Sequence, residues 1–188
     1  MRRDTPLTGL HCDDERAGTS GGATAGTDRR RDSLMHEFHG SATAHLDATP
    51  EAVFDLITDV SRLPEWNDAI ESVAEQPTDL AEGAEWLVVM HPPHLPRWKS
   101  RSTAQQIDRD EHRFVYRTVN ADGNPSYALW NWQVDPADEG SQVTVTWDVF
   151  LKTADRRWLA GPMRRRGLRH EVAASLPAID RACHTTAT

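Results

Sequence analysis

Apolar positions change their spacing several times along the chain, and each change marks an element. From His36 to Asp47, Phe38, Ala42, Ala44 and Leu46 fall mostly on one parity against polar neighbours, which predicts a strand. Thr49-Pro50-Glu51 then starts a helix: Thr49 can accept the first free amide, Pro50 occupies the position that lacks a partner anyway, and Glu51 suits the positive end of the dipole. Ala52, Val53, Leu56 and Ile57 keep helical spacing as far as Thr58. Asp59 to Trp66 reads as a second short helix, with Ser61 as cap and Pro64 in the first turn. The period then becomes two, and six strands fit: Ile70–Gln76, Glu85–His91, Arg97–Ile107, His112–Asn120, Ser126–Val134 and Ser141–Lys152. Turn chemistry separates them, most clearly at Asp122-Gly123. Helical spacing returns at Leu168, Val172, Leu176, Ile179 and Cys183, which share one face. Gly161-Pro162 suggests a start near Pro162, and Pro177 should kink this helix.

One strand, two short helices, six strands in meander and a long helix make an α+β chain with a twisted antiparallel sheet. The final helix is the one element large and apolar enough to cover the concave face. Alternating strand direction puts Pro92–Pro96, Asp122–Pro125 and the Thr153–Arg156 link at one end of the sheet, where they would frame an opening. Parity then sorts the side chains. Lys99, Arg101, Arg113 and Arg117 must reach water, so Trp98, Ser100, Ser102, Phe114, Tyr116 and Thr118 point inward. The same reasoning turns Ala128, Trp130, Trp132, Val134, Val143, Val145, Trp147 and Val149 inward. Trp86-Leu87-Val88-Val89-Met90 is apolar on both parities, and Trp86, Val88 and Met90 are assigned to the inside. Rings of this kind either fill a core or line a pocket while offering an edge N–H or O–H to a ligand. The expected lining is completed from the helix by Leu168, Val172 and Leu176.

Composition narrows the function classes. The chain has 188 residues, enough for one domain with a sizeable core. Residues 1–33 are rich in Gly, Thr, Ser, Asp and Arg, with few large apolar side chains, and are read as a disordered tail before one domain over 34–188; Met35 is a conceivable alternative translation start. The formal charge of -8 argues against nucleic acid and against anionic membrane surfaces. The two cysteines form no disulfide framework and no metal-type spacing, which points to reducing cytoplasm. No apolar run follows Met1-Arg2-Arg3, and none approaches a membrane span. Arginine far outnumbers the two lysines, Lys99 and Lys152, a usage that suggests a GC-rich bacterial genome.

Ala44-His45-Leu46-Asp47-Ala48-Thr49-Pro50-Glu51-Ala52-Val53-Phe54-Asp55-Leu56-Ile57-Thr58-Asp59, followed by Arg62-Leu63-Pro64-Glu65-Trp66, resembles the opening of the START-like (SRPBCC) superfamily in its polyketide cyclase/dehydrase branch. The resemblance continues at Gly140-Ser141-Gln142-Val143-Thr144-Val145 and in the last helix, and so spans about residues 36 to 183. It implies a helix-grip (Bet v 1-like) fold, a curved seven-stranded antiparallel sheet wrapped around the C-terminal helix with two short helices between the first strands. It also implies a cavity between sheet and helix for a small hydrophobic or amphipathic molecule of lipid, sterol or polyketide type. The superfamily holds carriers and receptors as well as aromatase/cyclases, so three functions are expected of such a chain: ligand binding, cyclisation or dehydration in the cavity, or protein interaction with a filled core.

Cyclase chemistry needs a donor near a carbonyl oxygen and a proton acceptor within reach. Tyr116 is the candidate donor, with Ser100, Ser102 and Thr118 as neighbours; no acid–base pair accompanies it, since Asp148 falls on the outward parity. His91-Pro92-Pro93-His94 lacks a third ligand nearby and reads as a stiff rim loop, and His36 and His39 face opposite sides of their strand. No metal and no cofactor are expected. Arg164, Arg165, Arg166 and Arg169 read as a solvated helix face that could also hold an anionic ligand tail, and Trp66 as a plug at the narrow end of the sheet.

Overall fold

The computed structural model describes residues 38–93, 95–153 and 161–185, without the side chains of 161–164. The tail over 1–33, His36, His94, Trp158, Leu159 and the Arg164 side chain lie outside the described residues.

Seven strands form one antiparallel sheet: β1 (Phe38–Leu46), β2 (Ile70–Glu75), β3 (Glu85–Met90), β4 (Trp98–Asp108), β5 (Arg113–Asn120), β6 (Tyr127–Pro136) and β7 (Ser141–Phe150). Their order is β1-β7-β6-β5-β4-β3-β2, so the meander is closed at one edge by the first strand pairing with the last. Two short helices, α1 (Pro50–Thr58) and α2 (Leu63–Trp66), cross from β1 to β2, and α3 (Gly161–Thr185) follows the sheet. This is the helix-grip fold, with the expected seven strands, two short helices and long terminal helix.

Local chemistry explains the junctions. The Thr49 hydroxyl accepts the Ala52 amide at 3.3 Å and Pro50 begins α1, as the sequence suggests. The segment after it departs from expectation. In place of one helix over 59–66, a 3₁₀ turn at Val60–Arg62 leads into α2, and its cap is Asp59 instead of Ser61. Asp59 Oδ1 takes the Ser61 amide at 3.0 Å and the Ser61 hydroxyl at 2.6 Å, so Asp59 caps the turn and Ser61 lies inside it as one of the capped residues. Strand ends shift by one or two residues. β7 stops at Phe150 because the Lys152 amide leaves the ladder to donate to Ser126 Oγ at 3.0 Å.

Curvature comes from irregular pairing. A bulge between Ala104 and Gln106 bends β4 against β5, and two register shifts bend β2 against β3. On the β1–β7 edge Gly40 faces Trp147, and a Cβ at Gly40 would fall on the Trp147 ring. The helix is tied down at its far end: Asp180 Oδ1 accepts the amides of Asp47 and Ala48 at 3.0 and 3.1 Å, where β1 turns into α1. Arg62 adds a second tie, holding Glu65 through two nitrogens and donating to the Ala182 carbonyl at 3.3 Å. Leu168, Val172, Leu176 and Ile179 of α3 are buried against the sheet, and Pro177 sits inside the helix.

Candidate functional site

A cavity of about 790 Å³ lies between the concave face of the sheet and α3, within the range of roughly 300–1,000 Å³ typical of small-molecule sites. Antiparallel pairing brings the β3–β4 segment, the β5–β6 turn and the chain after β7 to one end, so Pro93, Leu95, Pro96, Asn120, Asp122 and Leu151 border the mouth. Asn124 Nδ2 donates to Thr153 Oγ1 at 3.3 Å and fastens two sides of this rim. The rest of the expected third side, 154–156, lies outside the described residues. Ile57, Val60, Leu63 and Trp66, from the two short helices and the turn between them, border the opposite end.

Most residues expected to line the cavity do so. Trp86, Val88 and Met90 come from β3, Trp98, Ser100 and Ser102 from β4, and Phe114, Tyr116 and Thr118 from β5. Trp130 and Trp132 come from β6, and Leu168 and Val172 from α3. Val145, Trp147 and Leu176 do not border it. They are fully buried beside β1, where α3 packs directly on the sheet and leaves no gap. Parity fixes the face a side chain occupies but not the part of that face the helix covers.

The lining divides into filled and open parts. Trp66, Trp86, Phe114 and Trp132 are 2–3% exposed and pack on one another, with Trp66 edge-on to Trp132 at 5.6 Å and Trp86 stacked on Phe114 at 6.1 Å. Trp66 thus closes one end of the chamber, and its indole N–H is enclosed with no oxygen or nitrogen partner. Trp98, Tyr116, Thr118, Ala128 and Trp130 are only half-buried although they point inward, so their free surface faces the cavity. Tyr116 and Trp130 pair across the strands and stack at 6.2 Å and 18°.

The polar groups of the lining are few and mostly committed. Ser100 donates to the Val119 carbonyl at 3.2 Å, and Ser102 and Thr118 share one hydroxyl–hydroxyl bond of 2.9 Å. Burial holds the Tyr116 phenol well above its ordinary pKa, partly opposed by the polar influence of the Trp132 indole N–H. Tyr116 is therefore a neutral hydroxyl at any ordinary pH, able to donate but not to take a proton. Asp148 faces outward as expected, 2.8 Å from His39 Nδ1. No histidine, lysine or arginine borders the cavity among the described residues, and the carboxylates that do are Asp122 and Glu171.

The remaining candidates lie elsewhere. His91 is exposed and sits 3.5 Å from Glu71. Arg165, Arg166 and Arg169 do not border the cavity. Asp47, Asp180 and His184 bring three possible ligand atoms together on the surface, a group that sequence spacing did not suggest. Asp180 Oδ1 is already occupied by two amides there, so the group is read as a helix tie.

Sequence reasoning missed Glu171 and Ser175 in the lining. Both are polar, so an apolar pattern does not pick them out, yet 168, 171, 172 and 175 share one stripe of α3 by the three- and four-residue rule, and that stripe faces the chamber. Ser175 satisfies its own proton on the Glu171 carbonyl at 2.9 Å, which makes its burial cheap. The helical residues at the closed end, such as Ile57 and Leu63, were legible as apolar but not as cavity wall.

Solved structures share this architecture. The di-domain aromatase/cyclase StfQ of the steffimycin biosynthetic pathway aligns with a TM-score of 0.68 at 12% identity over 85% of this chain, which spans about half (54%) of that protein. The aromatase/cyclase Zhui of Streptomyces sp. R1128 aligns at 0.61 with 18% identity, over 78% of this chain and 93% of its own. Ara h 8.0201 aligns at 0.61 with 15% identity, over 79% and 98%. At these identities the likeness shows the fold alone. No curated protein matches the chain by sequence. Among the described residues, no helix is long and apolar enough to cross a membrane. A family model described as polyketide cyclase / dehydrase and lipid transport matches residues 37–183, from the first strand through the last helix around the chamber, and the chain belongs to that family.

Proposed function

We propose that the protein binds a small hydrophobic or amphipathic molecule in the chamber between sheet and α3. The observation that carries this reading is the set of half-buried inward residues, Trp98, Tyr116, Thr118, Ala128 and Trp130, whose free surface is turned toward a space of about 790 Å³. Apolar surface left facing a cavity is unfavourable by about 25 cal/mol per Å² relative to a ligand-filled state, so a ligand of matching shape gains affinity from covering it. Family membership supports the reading without naming the ligand.

A second reading has one observation in its favour. Tyr116 borders the chamber and burial keeps its phenol protonated, as polarising a carbonyl would require. On this reading the protein is a cyclase or dehydratase in which Tyr116 donates and a bound water carries protons. Among the described residues no histidine borders the cavity to take up a proton at neutral pH, which makes binding the stronger of the two. Gentle-ionisation mass spectrometry of the purified protein, with thermal shifts against sterols, fatty acids and aromatic polyketides, tests both. A bare polypeptide and no shift with any compound would remove them together. If a ligand is found, Tyr116→Phe separates them: affinity within about tenfold supports binding, and complete loss of turnover supports catalysis.

A further inference from the structure

We propose that the mouth end of the domain docks on an anionic phospholipid surface, through a local excess of cations that the charge of the whole chain conceals. The inference goes beyond the small-molecule reading and does not depend on it, since such docking needs no occupant in the chamber.

Sheet topology sorts the charges. Because the strands alternate in direction, the β2–β3, β4–β5 and β6–β7 connections lie at the end away from the mouth. They carry Asp79 and Glu82, then Asp108-Arg109-Asp110-Glu111, then Asp135 with Asp138-Glu139, which makes eight carboxylates and one arginine. The other end has the opposite balance. Residues 151–169 hold Lys152, Arg156, Arg157, Arg164, Arg165, Arg166 and Arg169 against Asp155. This stretch begins at Leu151 on the mouth and runs into the start of α3, where Gly167 borders the chamber. Asp180 ties the far end of α3 to the β1–α1 turn, so the start of α3 belongs to the mouth end. Residues 154–160 and the Arg164 side chain lie outside the described residues; Arg165 and Arg166 are exposed. Carboxylates on the neighbouring segments are Asp68, Asp122 and Glu171, while Glu71 is matched by Arg97 at 2.6 Å. Seven cations against four carboxylates leave an excess of three even if every carboxylate forms an ion pair.

Distance decides which charges a docked surface senses. The eleven residues of β4 run from one end to the other, roughly 35 Å at about 3.3 Å per residue, whereas charges are screened over about 8 Å at physiological ionic strength. A flat anionic surface at the mouth therefore meets the local cations and not the distant carboxylates. The net charge of -8, which on sequence alone argues against such a surface, acts against approach by the other end and favours this orientation.

Apolar side chains among the cations favour a bilayer over a soluble polyanion. Leu95, between Pro93 and Pro96 on the rim, is 40% exposed, the exposed large apolar side chain among the described residues. In the sequence Trp158, Leu159 and Met163 interrupt the arginines. Arginines interspersed with tryptophan and leucine suit the headgroup layer, where cations meet phosphates and apolar groups enter the acyl boundary. A nucleic acid offers the phosphates without that boundary.

Sedimentation of the full chain with sucrose-loaded vesicles tests this. Phosphatidylcholine vesicles containing about 30% phosphatidylglycerol should bind the protein at least about tenfold more tightly than phosphatidylcholine alone, and about 0.5 M salt should remove the difference. Arg165→Gln with Arg166→Gln should weaken binding to the anionic vesicles by about tenfold or more, and Leu95→Ser by about threefold. Arg109→Gln, an exposed arginine at the closed end, should leave it within about twofold. Binding that ignores lipid charge, that survives the double arginine variant undiminished, or that falls as far in Arg109→Gln would overturn the proposal. Retention on heparin without binding to either vesicle would overturn it too, in favour of a soluble polyanion. None of these outcomes touches the small-molecule reading, which mass spectrometry and thermal shifts probe without vesicles.

Discussion

The rings of Tyr116 and Trp130 pair across β5 and β6 and stack at 6.2 Å and 18° inside the chamber. Trp130→Ala therefore removes a ring partner of Tyr116 as well as part of the cavity wall. The stacked pair should show a coupling of about 0.5–1.5 kcal/mol of folding stability in a double-mutant cycle with Tyr116→Leu, read from urea midpoints. Equal costs of Trp130→Ala in the two backgrounds would show that the residues are uncoupled.

Two buried groups predict a loss of stability at alkaline pH. Burial raises the Tyr116 phenol above its ordinary value of 10.0, and burial with the nearby Asp180 charge pushes the Cys183 thiol from 9.0 up to about 11. In both cases the unfolded chain releases its proton first, so the stabilisation is complete below pH 9 and declines as pH rises from there. The slope approaches about 1.4 kcal/mol per pH unit for each titrating group. Urea unfolding at intervals from pH 8 to 11 measures it. Cys183→Ala should flatten the part beginning near pH 9, and Tyr116→Phe the part above pH 10; an unchanged slope in both would contradict the assignment.

Gly40 is required by the ring it faces. A methyl group there would overlap Trp147, which is 1% exposed and has little room to withdraw. Gly40→Ala should destabilise the fold by about 1–3 kcal/mol, and a neutral result in thermal melts would mean that the β1–β7 edge is looser than described.

Asp180 fastens α3 to the turn between β1 and α1 through two amides. Asp180→Ala should cost about 1–3 kcal/mol, as for hydrogen bonds to a charged acceptor at a partly exposed site. Asp180→Asn, which keeps an acceptor oxygen, should recover part of it. Hydrogen exchange at the Asp47 and Ala48 amides reads the tie directly, and exchange in Asp180→Ala no faster than in wild type would exclude it.

The period of two from Ile70 onward, the Asp122-Gly123 turn and the Thr49-Pro50 helix start each follow from local chemistry, and the sheet, short helices and terminal helix formed where that chemistry placed them. Charged residues on alternate positions, such as Lys99, Arg101, Arg113 and Arg117, pinned the register of β4 and β5 and thereby turned Ser102, Tyr116 and Thr118 inward. What local pattern could not supply was the position of α3 over the sheet. That position decides that Trp147 and Val145 are packed while Trp130 is open, although all three share one face. It also decides that polar Glu171 and Ser175 look into the chamber. Nor could spacing foresee Asp180 meeting Asp47 across more than a hundred residues of chain, because that contact exists only once the helix has docked.

The central claim is that the space under α3 admits a molecule, and Ala128 is the place to test it, since it borders the chamber opposite Thr118 and Val149. Wild-type protein titrated with N-phenyl-1-naphthylamine should give saturable one-to-one binding with blue-shifted emission, and Ala128→Trp, which fills the space, should abolish it while the protein still melts cooperatively. Absence of binding to the wild type, or undiminished binding to a folded Ala128→Trp, would contradict the account.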